Sequence, residues 1–548
     1  MDAAQCSLSR GTVRTGEEHL KKLYTRLNRQ IDRAEALEPA FSLSCLLKDK
    51  PTEENAAREI LRRTGSTENG DFEGNTEEQI AIARAGLAMA EYTADRNMLK
   101  RLAEWCRWLE TEWESMEDEF CIRVQAADLM EFLVRFYRTS GIKALLRLCT
   151  RLRFTSMDWT SYLHNERRRE TTHIQDQEEA ERFFHGPVGK EIDYFQLQFY
   201  LNHAELAADG MRFCAWSAMF SGNSRDFSAG KTGWEQLSKD HRAACGGTSG
   251  NPFMSGSSPS SPVSGCTAAA WTEAMITQAN LCTDPWALNE AVIIVHNALA
   301  EAIYRGNDTT IQRVNDPLDH RDNGGKEELF RQDCRLARAA ASAWHHAVTA
   351  TKEGFRINYF LKGRYCLKGG DKPILLEMTE DSALLRGNDG NGTKINLFLA
   401  GTENCIPVIT CGKKKQAISI PEGQPCGITV HLEKEWKVGE GIRMTEGNTP
   451  VLRDSHHQGI CCYHRNRLMA MSIAENEYAF AATSAPEIRD GRILMTVRKT
   501  GAWKERNGIP TDIPVKPRAE GETETRELIP YAGSRRRIAV FPTAADYV

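Results

Sequence analysis

Cysteine is the residue type with the most evident chemical potential in this chain of 548 residues. The sixteen cysteines extend from Cys6 to Cys462, with one adjacent pair and no C-x-x-C spacing. The pair, Cys461-Cys462, has three histidines within a few residues. Thiolates and imidazoles are common zinc ligands, but adjacent cysteines followed by Tyr-His do not match the usual spacing of structural zinc sites. We therefore interpret this pair as packing residues.

A second candidate is the pair Asp333-Cys334, which lies just ahead of a predicted helix. The thiolate is the nucleophilic form of cysteine, and a helix N-terminus can lower the pKa of a thiol. Cys334 with Asp333 is therefore a candidate catalytic pair. His345 and His346 lie further along the same predicted helix, and we interpret them as satisfied polar residues.

Composition excludes several classes of protein. The chain is 41% hydrophobic and 26% charged, which is enough for a large core and excludes a disordered chain. Its 70 Lys and Arg against 75 Asp and Glu leave a charge of −5, so nucleic acid is not an expected partner. The first twenty residues lack an apolar stretch, and no run of eighteen apolar residues occurs. We expect no membrane partner, a cytoplasmic location and reduced thiols.

Hydrophobic spacing predicts helices over the first part of the chain. Asn75 followed by Glu78 predicts a helix start with a capping box. Amphipathic runs follow, and they are residues 99–113, 123–137, 142–152, 194–208, 267–281, 288–304 and 336–350. No fixed repeat length relates them, so a closed helical toroid is favoured over a repeat solenoid.

After Gly354 the period changes to about two, which predicts short strands. They are residues 355–361, 374–378, 394–399, 416–420, 427–432, 478–482, 492–497 and 537–541. Strands at this spacing indicate a β-sandwich, either one or two small ones. The predicted organisation is an extension over 1–71 that packs on the barrel, a helical barrel over 72–350, and a sandwich region over 351–548. Residues 245–262 and 515–527 are predicted to be irregular loops, the first a candidate rim of an active site.

Four segments resemble motifs of the bacterial β-L-arabinofuranosidase family of glycoside hydrolases. The segments are Asp284-Pro285-Trp286 with His296-Asn297-Ala298-Leu299, LAR…GFRINYF over 336–360, CGITVHLEKEWKVGEGIRM over 426–444, and LIPYA…R-x-IAVF over 528–541. The third resembles a strand pair of the family. The resemblance covers about residues 72–545. It implies an α+β protein with an (α/α)6 barrel followed by a β-sandwich, and hydrolysis of a terminal sugar.

The resemblance also implies a zinc site. The family uses as its proposed nucleophile a cysteine thiolate, which is held on zinc with two more cysteines and a glutamate. Its E-x-C element falls on Ser264-Gly265-Cys266, where the cysteine is kept and the carboxylate is lost. Its acid/base loop falls on 246–261, which contains no Asp or Glu. Asp128 and Lys190 fall about where the family has histidines that face the barrel.

The other two zinc cysteines of the family fall on Arg331 and Gln332, with Cys334 two places away. The resemblance therefore implies Cys266 and Cys334 as the metal candidates and Cys334 with Asp333 as the catalytic candidates. The expected cofactor is either none or a zinc ion. The expected partner is an oligosaccharide or a glycoside, and association as a homodimer is left open.

Two alternatives stay open at this point. The first is a carbohydrate-binding pseudoenzyme that keeps the scaffold without the chemistry, because most family positions that carry charge or a thiolate are substituted. The second is a polysaccharide lyase, since such toroids with sandwiches also occur among lyases. Proton abstraction there needs a Tyr or His base, and Tyr162, His164 and His173 are the candidates.

Overall fold

The fold is described from a computed structural model. It covers residues 13–14, 17–47, 50–65, 70–164, 203–249, 254, 259, 261–281, 286–306, 310–316, 319, 324–351, 354–369, 372–380, 382–387, 394–399, 408–411, 414–417, 432–435, 441–445, 450–454, 459–474, 480–500 and 519–541.

Helices dominate the chain up to residue 346. They are α1 Glu18–Asn28, α2 Ala34–Leu47, α3 Lys50–Arg63, α4 Thr76–Thr93, α5 Arg96–Thr111, α6 Trp113–Met116, α7 Phe120–Arg123, α8 Ala127–Ser140, α9 Ala144–Thr155, α10 Trp159–His164, α11 Ala204–Ser221, α12 Ser224–His241, α13 Gly265–Leu281, α14 Trp286–Ile294, a π-helical segment Val295–Leu299, α15 Ala300–Arg305 and α16 Lys326–His346. Among the described residues, no helix has both the length and the apolar character needed to cross a bilayer.

The predicted capping box at the start of α4 is confirmed. The backbone N–H of Glu78 donates to Asn75 Oδ1 at 3.0 Å, and the backbone N–H of Asn75 donates to the Glu78 carboxylate at 2.9 Å. Two N–H groups that a helix start would leave without partners are satisfied in this way. The sequence therefore fixes where α4 begins, which determines the position of the residues in its first turn.

Six helices contact one another in a closed circuit. α2 contacts α4, α4 contacts α8, α8 contacts α11, α11 contacts α13, α13 contacts α16, and α16 returns to α2. We call them the circuit helices. α13 is buried along nearly its whole length, polar Thr272 and Gln278 included, because neighbours surround it. Buried polar groups require partners, and much of the ionic pairing described below lies between circuit helices.

Residues 1–71, predicted to be an extension on the barrel, contain three helices and a short strand. α2 belongs to the circuit and lies between α4 and α16. The strand β1, Val13–Arg14, pairs with β6 of the sheet region. The N-terminal segment thus contributes directly to both parts of the fold.

The sheet region begins at residue 348, close to the predicted boundary. Two short strands, β2 Pro262–Ser264 and β3 Ile311–Arg313, lie in the helical part. The strands of the sheet region are β4 Val348–Thr351, β5 Gly354–Ile357, β6 Gly363–Gly369, β7 Lys372–Met378, β8 Ser382–Gly387, β9 Lys394–Leu399, β10 Val408–Cys411, β11 Lys414–Ala417, β12 Leu432–Glu435, β13 Gly441–Thr445, β14 Val451–Asp454, β15 Ile460–His464, β16 Arg467–Ser472, β17 Phe480–Ala482, β18 Glu487–Arg489, β19 Arg492–Thr500, β20 Ala519–Pro530, β21 Arg537–Ile538 and β22 Val540–Phe541.

Within the described residues the strands form four sheets, one of which is the pair β2-β3. The first large sheet has the order β1-β6-β7-β8-β13-β10-β11, the second β12-β9-β5-β4, and the third β14-β15-β16-β20-β19-β17. In the third, β18 also pairs with β19, β21 with β16, and β22 with β15. Within the described residues every pair is antiparallel except β5 with β9. An antiparallel sheet region after the helices agrees with the change of period in the sequence.

Two predictions about this region are wrong. Much of residues 515–527, predicted as a loop, belongs to β20, which pairs with β19 from Ala519 to Leu528. Its exposed Glu-Thr-Glu-Thr alternation forms a strand through cross-strand hydrogen bonds and not through burial. The predicted strand pair over 426–444 is also absent from the described residues, because β12 pairs with β9 while β13 pairs with β8 and β10.

Asparagine side chains fasten the helices to the sheets. The helix predicted over 288–304 is interrupted by the π-helical segment, whose Asn297 donates to the carbonyl oxygen of Asn466 at 3.0 Å and accepts from the backbone N–H of Leu468 at 2.6 Å. Asn358 donates to the carbonyl oxygen of His346 at the end of α16. We call this contact zone the helix–sheet junction. The π turn places Asn297 where it reaches β16.

A buried ion pair links α15 to β21 at the same junction. The Glu301 carboxylate accepts from Arg537 and from the backbone N–H of Gly533, the latter at 2.6 Å. Arg537 also donates to the carbonyl oxygen of Arg313 at 2.7 Å. Glu301 and Arg537 are both fully buried. Such a pair is stable only because each charge has several partners.

Candidate functional site at the starts of the circuit helices

All six circuit helices carry an acid or a thiol at their second residue. On α16 this residue is Glu327, which pairs with Arg33. The other five are Glu35 on α2, Glu77 on α4, Asp128 on α8, Glu205 on α11 and Cys266 on α13. We call them the first-turn cluster. Carboxylates are favoured in the first turn of a helix, where the dipole is positive. Their recurrence on successive circuit helices is the pattern that defines the site.

Electrostatic contacts bring these helix starts together. Glu35 and Asp128 both act on Glu77, as do Arg331 and Arg335 of α16. The same two arginines act on Cys266. Arg331 and Arg335, which lie beyond the first turn of α16, therefore act on groups at the starts of two other circuit helices, the carboxyl of Glu77 and the thiol of Cys266.

Arginines hold the carboxylate of Asp128 from three sides. Arg84 Nη1 lies 2.5 Å and Arg338 Nη1 2.9 Å from Oδ2, and Arg212 donates to Oδ1. Burial by itself would raise the pKa of Asp128, but Arg338, Arg84 and Arg212 together hold it well below its usual value. The side chain keeps 32% of its surface exposed. Asp128 is thus an ionised carboxylate that a ligand can reach.

The network continues between the circuit helices. Arg338 forms two hydrogen bonds with the carboxylate of Glu273, at 2.6 and 2.8 Å. Arg335 Nη2 lies 3.0 Å from Asp209 Oδ2, and Arg331 Nη2 lies 3.1 Å from Glu205 Oε2. Forked guanidinium groups suit such bidentate and bridging contacts. α16 is thereby bonded to α8, α11 and α13 around the first-turn cluster.

Glu77 differs from the other acids of the cluster. It is exposed, and it has no ion pair or hydrogen bond within the part of the chain that the structure describes. Partial desolvation, reinforced by repulsion from Glu35, raises the pKa of its carboxyl above the usual value. A free carboxyl with a raised pKa beside an ionised one is the combination that acid–base catalysis requires.

The surroundings of Cys266 do not fit a zinc ion. Burial raises the pKa of its thiol to about 12, with Glu205 adding to the shift. A zinc ion would itself deprotonate a thiol that it binds, but the guanidinium groups of Arg331 and Arg335, which act on Cys266, would repel the cation. Within the described residues no three His, Cys, Asp or Glu side chains are grouped to hold a metal.

The positions of the other two family cysteines do lie next to this thiol. A Cβ on Gly265 would meet the side-chain oxygen of Gln332 at 2.5 Å, so glycine is needed for the close approach of α16. Arg331 precedes Gln332 in the chain and acts on Cys266. An arginine and a glutamine thus occupy the two positions, and the zinc site that the resemblance implies stays a prediction.

Cys334 and Asp333 lie on α16 in a different environment. Burial raises the pKa of the Cys334 thiol, with Glu35 and Asp333 as further causes. Asp333 is buried and forms a bidentate ion pair with Arg26 of α1, with distances of 2.7 and 2.6 Å. Cys334 lies well inside α16 and not at its N-terminus, which begins at Lys326. The catalytic and metal roles of Cys266, Cys334 and Asp333 stay predictions, and these contacts do not favour them.

We expect Cys266 to react slowly with iodoacetamide in the folded protein at pH 7.5. A thiol with a pKa of about 12 has on the order of a thousandfold less thiolate than an ordinary one at that pH. Labelling should accelerate steeply up to pH 9.5, as measured by mass spectrometry of tryptic peptides, with the half-buried Cys366 as internal reference. Fast labelling at pH 7.5, or protection by stoichiometric bound zinc, would contradict the assignment.

The remaining candidates lie away from the first-turn cluster. Cys461 and Cys462 are buried in β15, in agreement with packing. Tyr162 packs against Trp159 on α10, and Nε2 of His164 lies 2.8 Å from the carbonyl oxygen of Arg225. His173 and Lys190 lie outside the described residues, as does half of the predicted rim loop. The two described lyase candidates are not part of the cluster.

Sequence reasoning identified Asp128 only through the resemblance and did not identify Glu77. A signal was present, because four circuit helices begin with a small residue followed by an acid. They are Ala34-Glu35, Thr76-Glu77, Ala127-Asp128 and Ala204-Glu205. This pattern can be recognised only once the circuit helices are known, and tertiary contacts determine which helices form the circuit.

Comparisons with known proteins agree on the fold. A crystal structure of a GH127 β-L-arabinofuranosidase from Geobacillus stearothermophilus T6 has a TM-score of 0.63 and 13% identity, covering 95% of this chain and 92% of that one. A protein described as a glycoside hydrolase has a TM-score of 0.66 and 14% identity, covering 95% and 93%. A second GH127 β-arabinofuranosidase has a TM-score of 0.62 and 12% identity, covering 96% and 92%.

The fold of this chain is similar to that of these three proteins over nearly its whole length. No protein-family model matches the sequence, and no curated protein matches it significantly. The resemblance to the β-L-arabinofuranosidase family is therefore a likeness of structure over nearly the whole length, with little identity of sequence. At this identity the comparison establishes architecture, and function has to be argued from the site.

Proposed function

We propose that the chain is a glycoside hydrolase that binds a terminal sugar at the first-turn cluster and cleaves it with carboxyl groups instead of a zinc-bound thiolate. The observation that carries this proposal is a pair of interacting carboxyl groups: Glu77, which is exposed and has no partner within the described residues, and Asp128, which three arginines hold ionised. The two groups would divide the roles of acid and base. When the pKa values of two interacting carboxyl groups are shifted in opposite directions, one group usually acts as the acid and the other as the base.

Glu77 is proposed as the general acid. A carboxyl with a raised pKa keeps its proton closer to neutral pH and can donate it to the glycosidic oxygen as the bond breaks. Its exposure leaves room for a leaving group that extends into solvent. The mechanism needs no metal, which agrees with the poor fit of Cys266 to zinc.

Asp128 is proposed to face the anomeric carbon. An ionised carboxylate there stabilises the positive charge that develops on the sugar, either electrostatically or as the base or nucleophile. Arg84, Arg212 and Arg338 would fix its orientation before the substrate arrives. Positioning of this kind lowers the barrier because no reorganisation is needed during the reaction.

The architecture supports this placement. We propose that the circuit helices form the inner wall of an (α/α)6 toroid, that the first-turn cluster lies at its mouth, and that the strands after residue 348 form β-sandwiches. The closed order of helix contacts supports the toroid. By analogy with the neighbours described as β-L-arabinofuranosidases, a β-L-arabinofuranoside is the first substrate to test.

One set of contacts favours a second candidate, a carbohydrate-binding protein without catalysis. The other buried acids near the cluster, Glu205, Asp209 and Glu273, are all paired with arginines of α16. A network in which each of these three acids is paired can serve stability and sugar recognition alone. The second candidate differs from the first only in whether Glu77 and Asp128 turn over a bound glycoside.

A panel of chromogenic glycosides tests both candidates. The panel includes α- and β-linked arabinofuranosides, and calorimetric titration with the free sugars runs in parallel. Release of the chromophore by the wild-type chain, with loss in Asp128→Asn, would support the hydrolase. Binding that Asp128→Asn weakens, without any release, would support the sugar-binding protein. If the wild-type chain released no chromophore and bound no sugar of the panel, the proposal would be overturned.

A further inference from the structure

Two histidines are buried without hydrogen-bond partners at the helix–sheet junction. His346 ends α16 and is 3% exposed, and His296 lies in the π-helical segment and is 7% exposed. Within the described residues neither ring nitrogen of His346 has a partner, and Nε2 of His296 has none. Buried polar groups are nearly always paired, so two such rings in one zone require an explanation.

Both rings face the same tyrosine. The ring centroid of Tyr359 lies 5.8 Å from that of His346 and 6.2 Å from that of His296. The hydroxyl of Tyr359 donates to the carbonyl oxygen of Ala343 at 2.9 Å, and it forms no hydrogen bond with either ring nitrogen of His346 or with Nε2 of His296. The histidines are therefore packed as neutral aromatic rings, in a place that an apolar ring could occupy.

The residues beside them connect the two parts of the fold. Asn297, next to His296, bonds to β15–β16 through Asn466 and Leu468. Asn358, next to Tyr359, bonds to the carbonyl oxygen of His346. A change at either imidazole would therefore act directly on the contacts that hold the sheets against the helices.

The charged groups around the two rings oppose a positive charge. Arg467 of β16 acts on His296, and Arg356 of β5 acts on His346, and no carboxylate of the described residues offsets them. Carboxylates on neighbouring elements are engaged elsewhere, Glu290 of α14 with Arg242 and Glu301 of α15 with Arg537. On α16 itself, His345 bonds through Nδ1 to the carbonyl oxygen of Ala341.

We propose that His296 and His346 form an acid-sensitive switch, in which protonation of their buried rings loosens the helix–sheet junction. Each ring takes up one proton from solvent when the junction opens, and releases it when the junction closes. Among the residues that the structure describes, the closed junction offers no acceptor for the added N–H and no counter-ion for the charge. The open junction hydrates the imidazolium, so acid shifts the population toward it.

The pH range follows from burial. Burial, with Arg467 and Arg356 adding to it, lowers the pKa of each histidine to about 3. In the open junction each would titrate at its ordinary value near 6.5. A lowered pKa in the closed state means that the closed state is favoured above pH 6.5 and loses that advantage as the pH falls toward 3. The equilibrium constant for opening of the junction should rise about tenfold for each histidine with every unit by which the pH falls across this range.

Hydrogen exchange measured by mass spectrometry on the full chain tests the switch. Between pH 7 and pH 4.5, after correction for the intrinsic pH dependence, we expect exchange to rise at least about tenfold in peptides covering 354–360 and 459–474. The double variant His296→Phe with His346→Phe keeps the aromatic packing and removes the titration, so its exchange should stay flat. His164→Phe, on the outer helix α10, is the matched control and should behave as wild type.

A second readout does not depend on a folded variant. Exchange of the imidazole C2 hydrogen reports the protonation of each histidine in the wild-type protein. We expect it to give half-titration points for His296 and His346 below 5. Ordinary titration near 6.5 at both positions would overturn the proposal, and so would an acid response of the junction peptides that is unchanged in the folded double variant.

Discussion

Glu77→Gln is expected to reduce the hydrolysis of an unactivated glycoside by about 10²- to 10⁴-fold, the range in which general acid catalysis contributes. Glutamine has the shape of the acid but cannot donate a proton to the glycosidic oxygen. Because Glu77 has no partner within the described residues, the substitution breaks no ion pair. The loss should therefore appear in kcat, with KM and stability close to those of the wild type.

The leaving group separates loss of the acid from general damage. The dinitrophenolate of a dinitrophenyl glycoside departs without protonation. Glu77→Gln should therefore retain most of its activity on that substrate. Activity of the wild type should fall as the pH rises above the raised pKa of Glu77, because the acid must be protonated. In Glu77→Gln this alkaline limb should disappear.

Glu114→Gln is the matched control, because Glu114 is exposed on α6 and away from the cluster. It makes the same chemical change and should behave as wild type. If Glu77→Gln lost activity equally on activated and unactivated glycosides, Glu77 would have a role in binding or folding and not as the acid. If it lost none on either substrate, a different proton donor would be required.

The sequence predicted the order of the fold because that order depends on local signals. Hydrophobic period, the Asn75–Glu78 cap and the change to alternation after Gly354 are local, and the helices followed by antiparallel sheets agree with them. The strand β20 was missed because its stability comes from pairing with β19 and not from burial of one face. The π-helical turn was not predicted, because the hydrogen bonds that Asn297 forms from it reach residues about 170 positions away in the chain.

The site was harder to predict because it is made by tertiary contacts. Cys266 and the positions of Arg331 and Gln332 do lie together, as the resemblance implies, but their chemistry is determined by burial and by α16. Glu77 looked like an ordinary acid of a first turn. Its pKa is raised by partial desolvation and then by Glu35, which lies on another helix, and no local pattern in the sequence records either cause.

The segments that carry the family resemblance lie mainly at the helix–sheet junction and not at the first-turn cluster. Asn297, Asn358 and Tyr531 belong to three of the four segments, and each bonds across elements there. What resembles the family is thus the part that holds helices to sheets. The resemblance therefore indicates the scaffold more directly than it indicates the chemistry.

Glu301→Gln, a substitution at the helix–sheet junction, is expected to lower the free energy of unfolding by about 3–5 kcal/mol. Glu301 accepts hydrogen bonds from Arg305, Arg537 and the backbone N–H of Gly533. Glutamine has one oxygen for these three donors and places its NH₂ group against the others. Arg537 would remain fully buried with its principal counter-charge removed, and leaving a buried charge without its counter-charge costs far more than breaking an exposed pair.

Urea unfolding monitored by tryptophan fluorescence and circular dichroism measures this effect. Glu487→Gln is the matched control, because Glu487 and Arg489 form an exposed pair in the same sheet region, and its effect should stay within about 1 kcal/mol. The double variant Glu301→Met with Arg537→Met removes both charges and should recover part of the loss. A Glu301→Gln protein as stable as the control would mean that the sheets are held to α15 by apolar packing alone, with the ion pair contributing nothing.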